Sequence, residues 1–229
     1  MRIDVAFTPG EEVAAPLAIV VDVLRATSTI AQALAAGYQR VLCAGEIDEA
    51  RALRRTVPDS LLGGEREARI IEGFDVGASP REFLERRAET LILSTTNGTR
   101  AILTAAAHAD EVVLGSLLNL GAVTGYAARR EVDVAVVCAG FKRAFALDDA
   151  YCAGRIVQLV AAERSDAAIA AELVARAFPT ALEGLNARTY GPPGLEEDIA
   201  FCAQENVLEV VPRFAGMEGG AAGIVRAEV

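Results

Sequence analysis

The chain has one histidine, one lysine and four cysteines, with no Cys-x-x-Cys pair. Each scarcity removes a chemistry. Histidine phosphatases and Ser–His triads would have only His108 to draw on. It follows Ala105-Ala106-Ala107 near the predicted end of a helix, where a histidine ordinarily serves the helix dipole. Lys142 lies in Phe141-Lys142-Arg143 rather than between a glycine and a Ser or Thr, which excludes a Walker A phosphate loop. Cys43, Cys138, Cys152 and Cys202 are scattered, which argues against a disulfide framework or structural zinc and for reduced thiols. Four residues separate Cys138 from Arg143 where a tyrosine-phosphatase loop needs five. Cys138 reads first as a small core residue at a strand end, with a nucleophile as the rival reading. A haloacid-dehalogenase loop fails as well, because Asp22 is followed by Val23 and Leu24 and not by a second aspartate two places on.

Basic charge is also short. Twenty-two Lys and Arg face 32 Asp and Glu, a formal net charge of −10. Nucleic acid and anionic membranes need a basic face, so neither is expected as a partner. Any anion site must reverse the local sign with arginines, helix ends or a bound cation. No uncharged apolar run approaches the roughly 20 residues that span a bilayer. The start, Met1-Arg2-Ile3-Asp4 with Glu11 and Glu12 soon after, does not read as a signal peptide. A cytoplasmic protein is expected, and a homo-oligomer is compatible with everything read here.

What is present is an alternation of short apolar runs and alanine-rich amphipathic segments. Strands are expected at 17–23, 41–43, 91–93, 112–114 and 132–138, and helices at 27–36, 48–55 (capped by Asp48), 99–107, 120–130, 149–162 and 165–176. Ser79-Pro80-Arg81-Glu82 reads as a helix start with proline at its first position. Residues 61–74 read mostly as loop, and the glycine-rich stretch 213–229 as a loose tail. The expected fold is α/β: one domain over 1–229, three layers (α/β/α) and a largely parallel or mixed sheet. A shift of 72 residues superimposes Thr27 on Thr99, Ile30 on Ile102, Ala33 on Ala105 and Val41-Leu42 on Val113-Leu114. Two related halves, 17–47 and 89–119, are therefore one option; common α/β grammar is the other.

Both units contain the same junction. The strand ending at Val23 runs into Leu24-Arg25-Ala26-Thr27-Ser28-Thr29, and Leu91-Ile92-Leu93 runs into Ser94-Thr95-Thr96-Asn97-Gly98-Thr99. Unpaired N–H groups and the positive dipole end sit at such helix starts, where hydroxyls and a glycine admit an anion. Two of them imply a pocket for a doubly anionic ligand, with phosphate the first candidate. Asp22, in an otherwise apolar strand, either caps the next turn, pairs with Arg25, or has a direct catalytic or metal role. Arg25 can hold a phosphate or carboxylate with its fork. Asp148-Asp149 either bind Mg²⁺ through oxygen or cap a helix. Gly63-Gly64-Glu65-Arg66 offers an acid and a base, or only a solvated loop. Asn119 and Gly140 follow predicted strands, and ligands of open parallel sheets sit beyond the strands' carboxyl ends.

V-V-D-V-L-R-A-T-S-T, L-G-G-E-R, E-G-F-D-V-G-A-S-P, T-T-N-G-T, G-S-L-L-N, V-C-A-G and F-A-L-D-D-A-Y-C-A-G occur in this order between about Ile19 and Gly154. Together they closely resemble the 2-phosphosulfolactate phosphatase family. The resemblance implies an α/β phosphatase requiring Mg²⁺ and cleaving (R)-2-phospho-3-sulfolactate to sulfolactate and phosphate on the route to coenzyme M. It implies catalytic roles for Asp22, Arg25, Glu65, Arg66 and Asp149, and Mg²⁺ ligands among Asp22, Asp148 and Asp149. Substrate contacts are expected from Thr27, Ser28, Ser79, Thr95, Thr96, Asn97, Gly98, Thr99, Asn119 and Gly140. Ala78 departs from the family's usual asparagine in G-N-S-P. Rival functions are an isomerase or lyase acting on a related phosphorylated acid, and an anion-binding domain without turnover.

Overall fold

The computed structural model describes residues 1–11, 14–95, 97–191 and 193–228. The strands are β1 (Arg2–Ala6), β2 (Leu17–Val21), β3 (Arg40–Ala44), β4 (Ser60–Arg66), β5 (Arg69–Ile70), β6 (Thr90–Ser94), β7 (Glu111–Gly115), β8 (Val134–Cys138), β9 (Glu163–Arg164), β10 (Pro212–Glu218) and β11 (Ala221–Arg226). The helices are α1 (Ala26–Ala35), α2 (Ile47–Thr56), α3 (Gly98–His108), α4 (Leu120–Arg130), α5 (Leu147–Leu159), α6 (Asp166–Arg176), α7 (Ala181–Asn186) and α8 (Glu196–Cys202), with a 3₁₀ turn at Pro80–Phe83. Among the described residues no helix is long and apolar enough to cross a membrane.

The strands form one sheet in the order β5-β4-β6-β3-β11-β10-β7-β2-β8-β1-β9. Pairing is parallel in β4-β6-β3 and in β7-β2-β8-β1-β9. The antiparallel hairpin β10–β11 joins the two sets, so they run in opposite senses along the ladder. β2 is buried on both faces, which is why it reads as a continuous apolar run. Leu17, Ile19 and Val21 pack with α4, α5 and α6, whereas Ala18 and Val20 pack with Ile30 and Leu34 of α1 and Ile102 of α3. α2 covers the opposite face of β3 and β6 through Ala50 and Leu53. The result is the expected three-layer arrangement around a mixed, mostly parallel sheet.

Residues 17–47 and 89–119 each run strand, helix, strand. β2 sends α1 across the central hairpin to β3, and β6 sends α3 across it to β7. α1 and α3 lie on the same face of the sheet and share one apolar cluster.

Three expectations are corrected. Residues 213–228 are no loose tail: they form most of β10 and all of β11, in the middle of the sheet. Gly219 and Gly220, at φ +57 and +92, make the two-residue turn between paired Glu218 and Ala221, a conformation that favours glycine. Residues 61–74 include β4, an inner strand, whose Gly64 is so tightly packed that a Cβ would lie 2.5 Å from the Ser94 carbonyl oxygen. The cap of α2 is Glu46, not Asp48: Glu49 Oε2 accepts the Glu46 N–H at 3.2 Å.

Candidate active site

The sheet and its crossing helices bring the two junctions together. Ala26 opens α1 and Gly98 opens α3. A Cβ built on Gly98 would lie 2.4 Å from Ala26 Cβ and 2.9 Å from Asp22 Oδ2. Two helix N-termini therefore meet around one carboxylate, and only glycine allows the approach.

Asp22 is buried and held from several sides. Its Oδ1 accepts the Ala26 N–H at 3.3 Å. The Thr27 hydroxyl donates to the Asp22 carbonyl at 2.9 Å and accepts the Asp22 N–H at 3.2 Å. Burial pushes the Asp22 carboxyl up to about 7; the Ala26 N–H and Arg25 oppose this, while the charges of Asp148 and Glu65 add to it. Asp22 therefore supports the turn that opens α1, one of the alternatives open for it. Arg25 does not pair with Asp22. Its Nη1 contacts Asp198 Oδ2 of α8 at 2.5 Å, and Ser79 Oγ donates to Asp198 Oδ1 at 2.6 Å.

Asp149 is also buried, with both oxygens engaged. Oδ1 accepts the Val23 N–H and Oδ2 the Gly140 N–H, each at 2.9 Å. It ties the end of β2 to the loop after β8, where Gly140 takes φ +67 and a Cβ would lie 2.4 Å from the Ala144 carbonyl oxygen. Asp148 accepts the Tyr190 O–H, and its Oδ1 also takes the Asp149 N–H at 3.1 Å. Burial raises the pKa of both carboxyls, and for Asp149 the charges of Asp148 and Asp22 add to the effect. Among the described residues no group of three or more His, Cys, Asp or Glu is arranged to hold a metal ion.

Beside Asp22 opens a cavity of about 380 Å³. Asp22, Arg25, Glu65, Thr95 and Asn97 form one part of its wall, and Phe141, Lys142, Arg188 and Tyr190 another. Ala78 lines it too, and its carbonyl accepts the Thr29 hydroxyl at 2.8 Å. Thr27, Ser28, Asp148, Asp149 and Gly140 do not line this cavity, and Thr99 lines a different one, together with Thr95, Glu46 and Arg100. The Ser28 hydroxyl donates to the Val23 carbonyl at 2.8 Å, and Thr99 Oγ1 lies 3.5 Å from Thr95 Oγ1. Ser79 acts on the site through Asp198. Thr96 lies outside the described residues.

Two candidates are placed elsewhere. Arg66 spends its guanidinium on the Glu65 carbonyl, at 2.7 Å, and on the Ser94 hydroxyl, at 3.1 Å, locking β4 to β6. Asn119 is fully buried: Oδ1 accepts from the Ser116 N–H and hydroxyl, and Nδ2 donates to the Leu114 and Val210 carbonyls. Its amide has no capacity left for a ligand. Cys138 is buried and its thiol is raised well above the usual range by burial, which suits a core residue and not a nucleophile. His108 is the last residue of α3.

Sequence reading missed Asp198, Lys142, Arg188 and Tyr190. Asp198 carried no local signal, because its partners Arg25 and Ser79 lie 173 and 119 positions away. A tyrosine followed by Gly191 and preceded by Arg188 in a turn-rich stretch was the available hint for the other wall.

Comparison with known proteins identifies the family. The family model for 2-phosphosulpholactate phosphatase matches residues 5–216. A protein of Symbiobacterium thermophilum named probable 2-phosphosulfolactate phosphatase is 42% identical over 220 residues, covering 90% of this chain and 94% of that one. Relatives with the same name are 38% identical: one from Carboxydothermus hydrogenoformans, over 96% of this chain and 95% of its own, and one from Thermus thermophilus, over 96% and 98%. A match over nearly the whole chain, carried by relatives at this identity, places the chain in the 2-phosphosulpholactate phosphatase family, a family of phosphoric monoester hydrolases.

Proposed function

We propose that this chain hydrolyses a phosphorylated small hydroxy acid, with (R)-2-phospho-3-sulfolactate as substrate, and that Mg²⁺ assists. The observation that carries the reading is the meeting of two helix N-termini at Asp22, on the wall of a 380 Å³ cavity. The positive dipole ends of α1 and α3 there favour the equatorial oxygens of a phosphoryl group as charge develops on them. Arg25, fixed by Asp198, adds a guanidinium at the same wall.

The donor set fits Mg²⁺ better than a metal that demands a full protein cage. Mg²⁺ takes hard oxygen ligands and is usually held by one or two carboxylates, with waters and substrate phosphate completing the shell. Asp22 and Glu65 both line the cavity and repel one another, which a divalent cation would relieve. In this reading Asp149, whose two oxygens each accept a backbone N–H, acts as scaffold. When bound, the ion would polarise the phosphoryl oxygens. In this reading Glu65, on the same wall, orients water or returns a proton to the leaving alkoxide, help typically worth about 10² to 10⁴ in rate.

A phosphate-release screen over phosphorylated hydroxy acids, with and without Mg²⁺, tests the reading. Release from 2-phospho-3-sulfolactate that rises with Mg²⁺ supports it. Conversion of the ester without free phosphate would favour an isomerase or lyase, and tight product binding without turnover an anion-binding domain.

A further inference from the structure

We infer that Lys142 and Arg188 form a second anion subsite, one that holds the acidic groups a substrate carries besides its phosphate. The inference rests on the hydrolase reading above and assigns the specificity of that same cavity.

A substrate bearing phosphate, sulfonate and carboxylate needs more than one cationic contact, and this protein is acidic overall. Asp22, Glu65 and Glu67 add negative charge to the cavity wall itself. The arginines nearest in sequence to the site motifs are already committed. Arg25 is paired with Asp198, Arg81 with Glu197 at 2.5 Å, and Arg66 with the ends of β4 and β6. Lys142 and Arg188 differ from them. Both line the cavity, and among the described residues neither lies within 4.0 Å of a carboxylate oxygen as an ion pair.

Their placement is built. The rings of Phe141 and Tyr190 stack with centroids 4.4 Å apart. Lys142 Nζ lies over the Phe141 ring at 5.5 Å, and Arg188 Cζ over the Tyr190 ring at 5.8 Å. The Tyr190 O–H is held by Asp148, and Arg188 Nη1 donates to the Tyr190 carbonyl at 3.1 Å. Each cation thus rests on one ring of a pair anchored to the start of α5. Lys142 is exposed and Arg188 half-buried. A compact ammonium and a planar fork suit different anion shapes, so together they can receive two acidic groups from one ligand.

The test compares three esters of similar skeleton: 2-phospho-3-sulfolactate, 2-phospholactate (no sulfonate) and glycerol 2-phosphate (neither acid). For the wild type, kcat/KM should fall along the series. In Lys142→Gln and in Arg188→Gln the span of the series should shrink by about tenfold or more, chiefly through KM for the sulfonated ester. Arg188→Lys should restore part of the span. An equal loss for all three esters, or a span identical to wild type, would overturn the inference. If the wild type releases phosphate from none of them, the hydrolase reading falls separately. The subsite is then judged by thermal protection: 3-sulfolactate should raise Tm of the wild type and not of the two Gln variants, and equal shifts would overturn it.

Discussion

Arg25 and Asp198 meet at 2.5 Å although 173 positions separate them, and both side chains are almost fully withdrawn from solvent. The pair joins the turn after β2 to α8, and through Ser79 it also fixes the turn before Pro80–Phe83. Removing one partner of a buried pair leaves the other charge uncompensated. Asp198→Asn should lower unfolding free energy by about 3 kcal/mol. It should also lower kcat/KM by about tenfold or more, because Arg25 loses its fixed direction. Urea unfolding and phosphate-release kinetics on the same preparation check both effects. Stability and activity equal to wild type would show that the pair positions nothing.

Gly98 is the steric gate between the two helix starts. A Cβ added there would overlap Ala26 and crowd Asp22 and Thr95. Gly98→Ala should cost about 1–3 kcal/mol as the helices are pushed apart, and lower kcat more than a shift of that size in folded fraction explains. A variant with normal kcat would mean that the close approach of α1 and α3 has no part in turnover.

Asp22 also makes stability depend on pH. Its carboxyl titrates near 3.8 when unfolded and is raised to about 7 in the fold, chiefly by burial, with Asp148 and Glu65 adding to the rise and the Ala26 N–H and Arg25 opposing it. Between these values the folded state holds a proton that the unfolded state has released. Stability contributed by this group therefore falls as pH rises from about 4 to about 7, by at most about 1.4 kcal/mol per pH unit. In chelator, the wild type minus Asp22→Asn difference in unfolding free energy should decline across that window. A flat difference, or one that grows with pH, contradicts the assignment.

Much of the frame was legible because it is written locally. β2 and β8 are apolar on both faces, so their burial shows as unbroken runs, and Asp22 stands out as the charge that follows one of them. The helix-opening turns were legible for the same reason, since hydroxyls and glycine cluster there within a few positions. What depends on distant pairing was not. Asp198 resembles any acidic residue of a short amphipathic helix until α8 is set against Arg25. Asn119 follows its strand as expected, whereas Arg66, expected on a loop, ends β4; sequence does not show that their polar groups are spent on the Leu114 and Val210 carbonyls or on Ser94. The hairpin β10–β11 was missed because Gly216, Gly219, Gly220 and Gly223 suggest looseness, whereas two of them form the tight turn and the sheet supplies the order.

The most direct measurement is inorganic phosphate released from (R)-2-phospho-3-sulfolactate by the wild type and by Asp22→Asn, with magnesium titrated in both. The wild type should turn over and respond to magnesium. The variant should remain folded and lose about 10² or more in kcat. A variant with near-normal rate and an unchanged magnesium response would contradict the claim that chemistry is centred where the two helices meet Asp22.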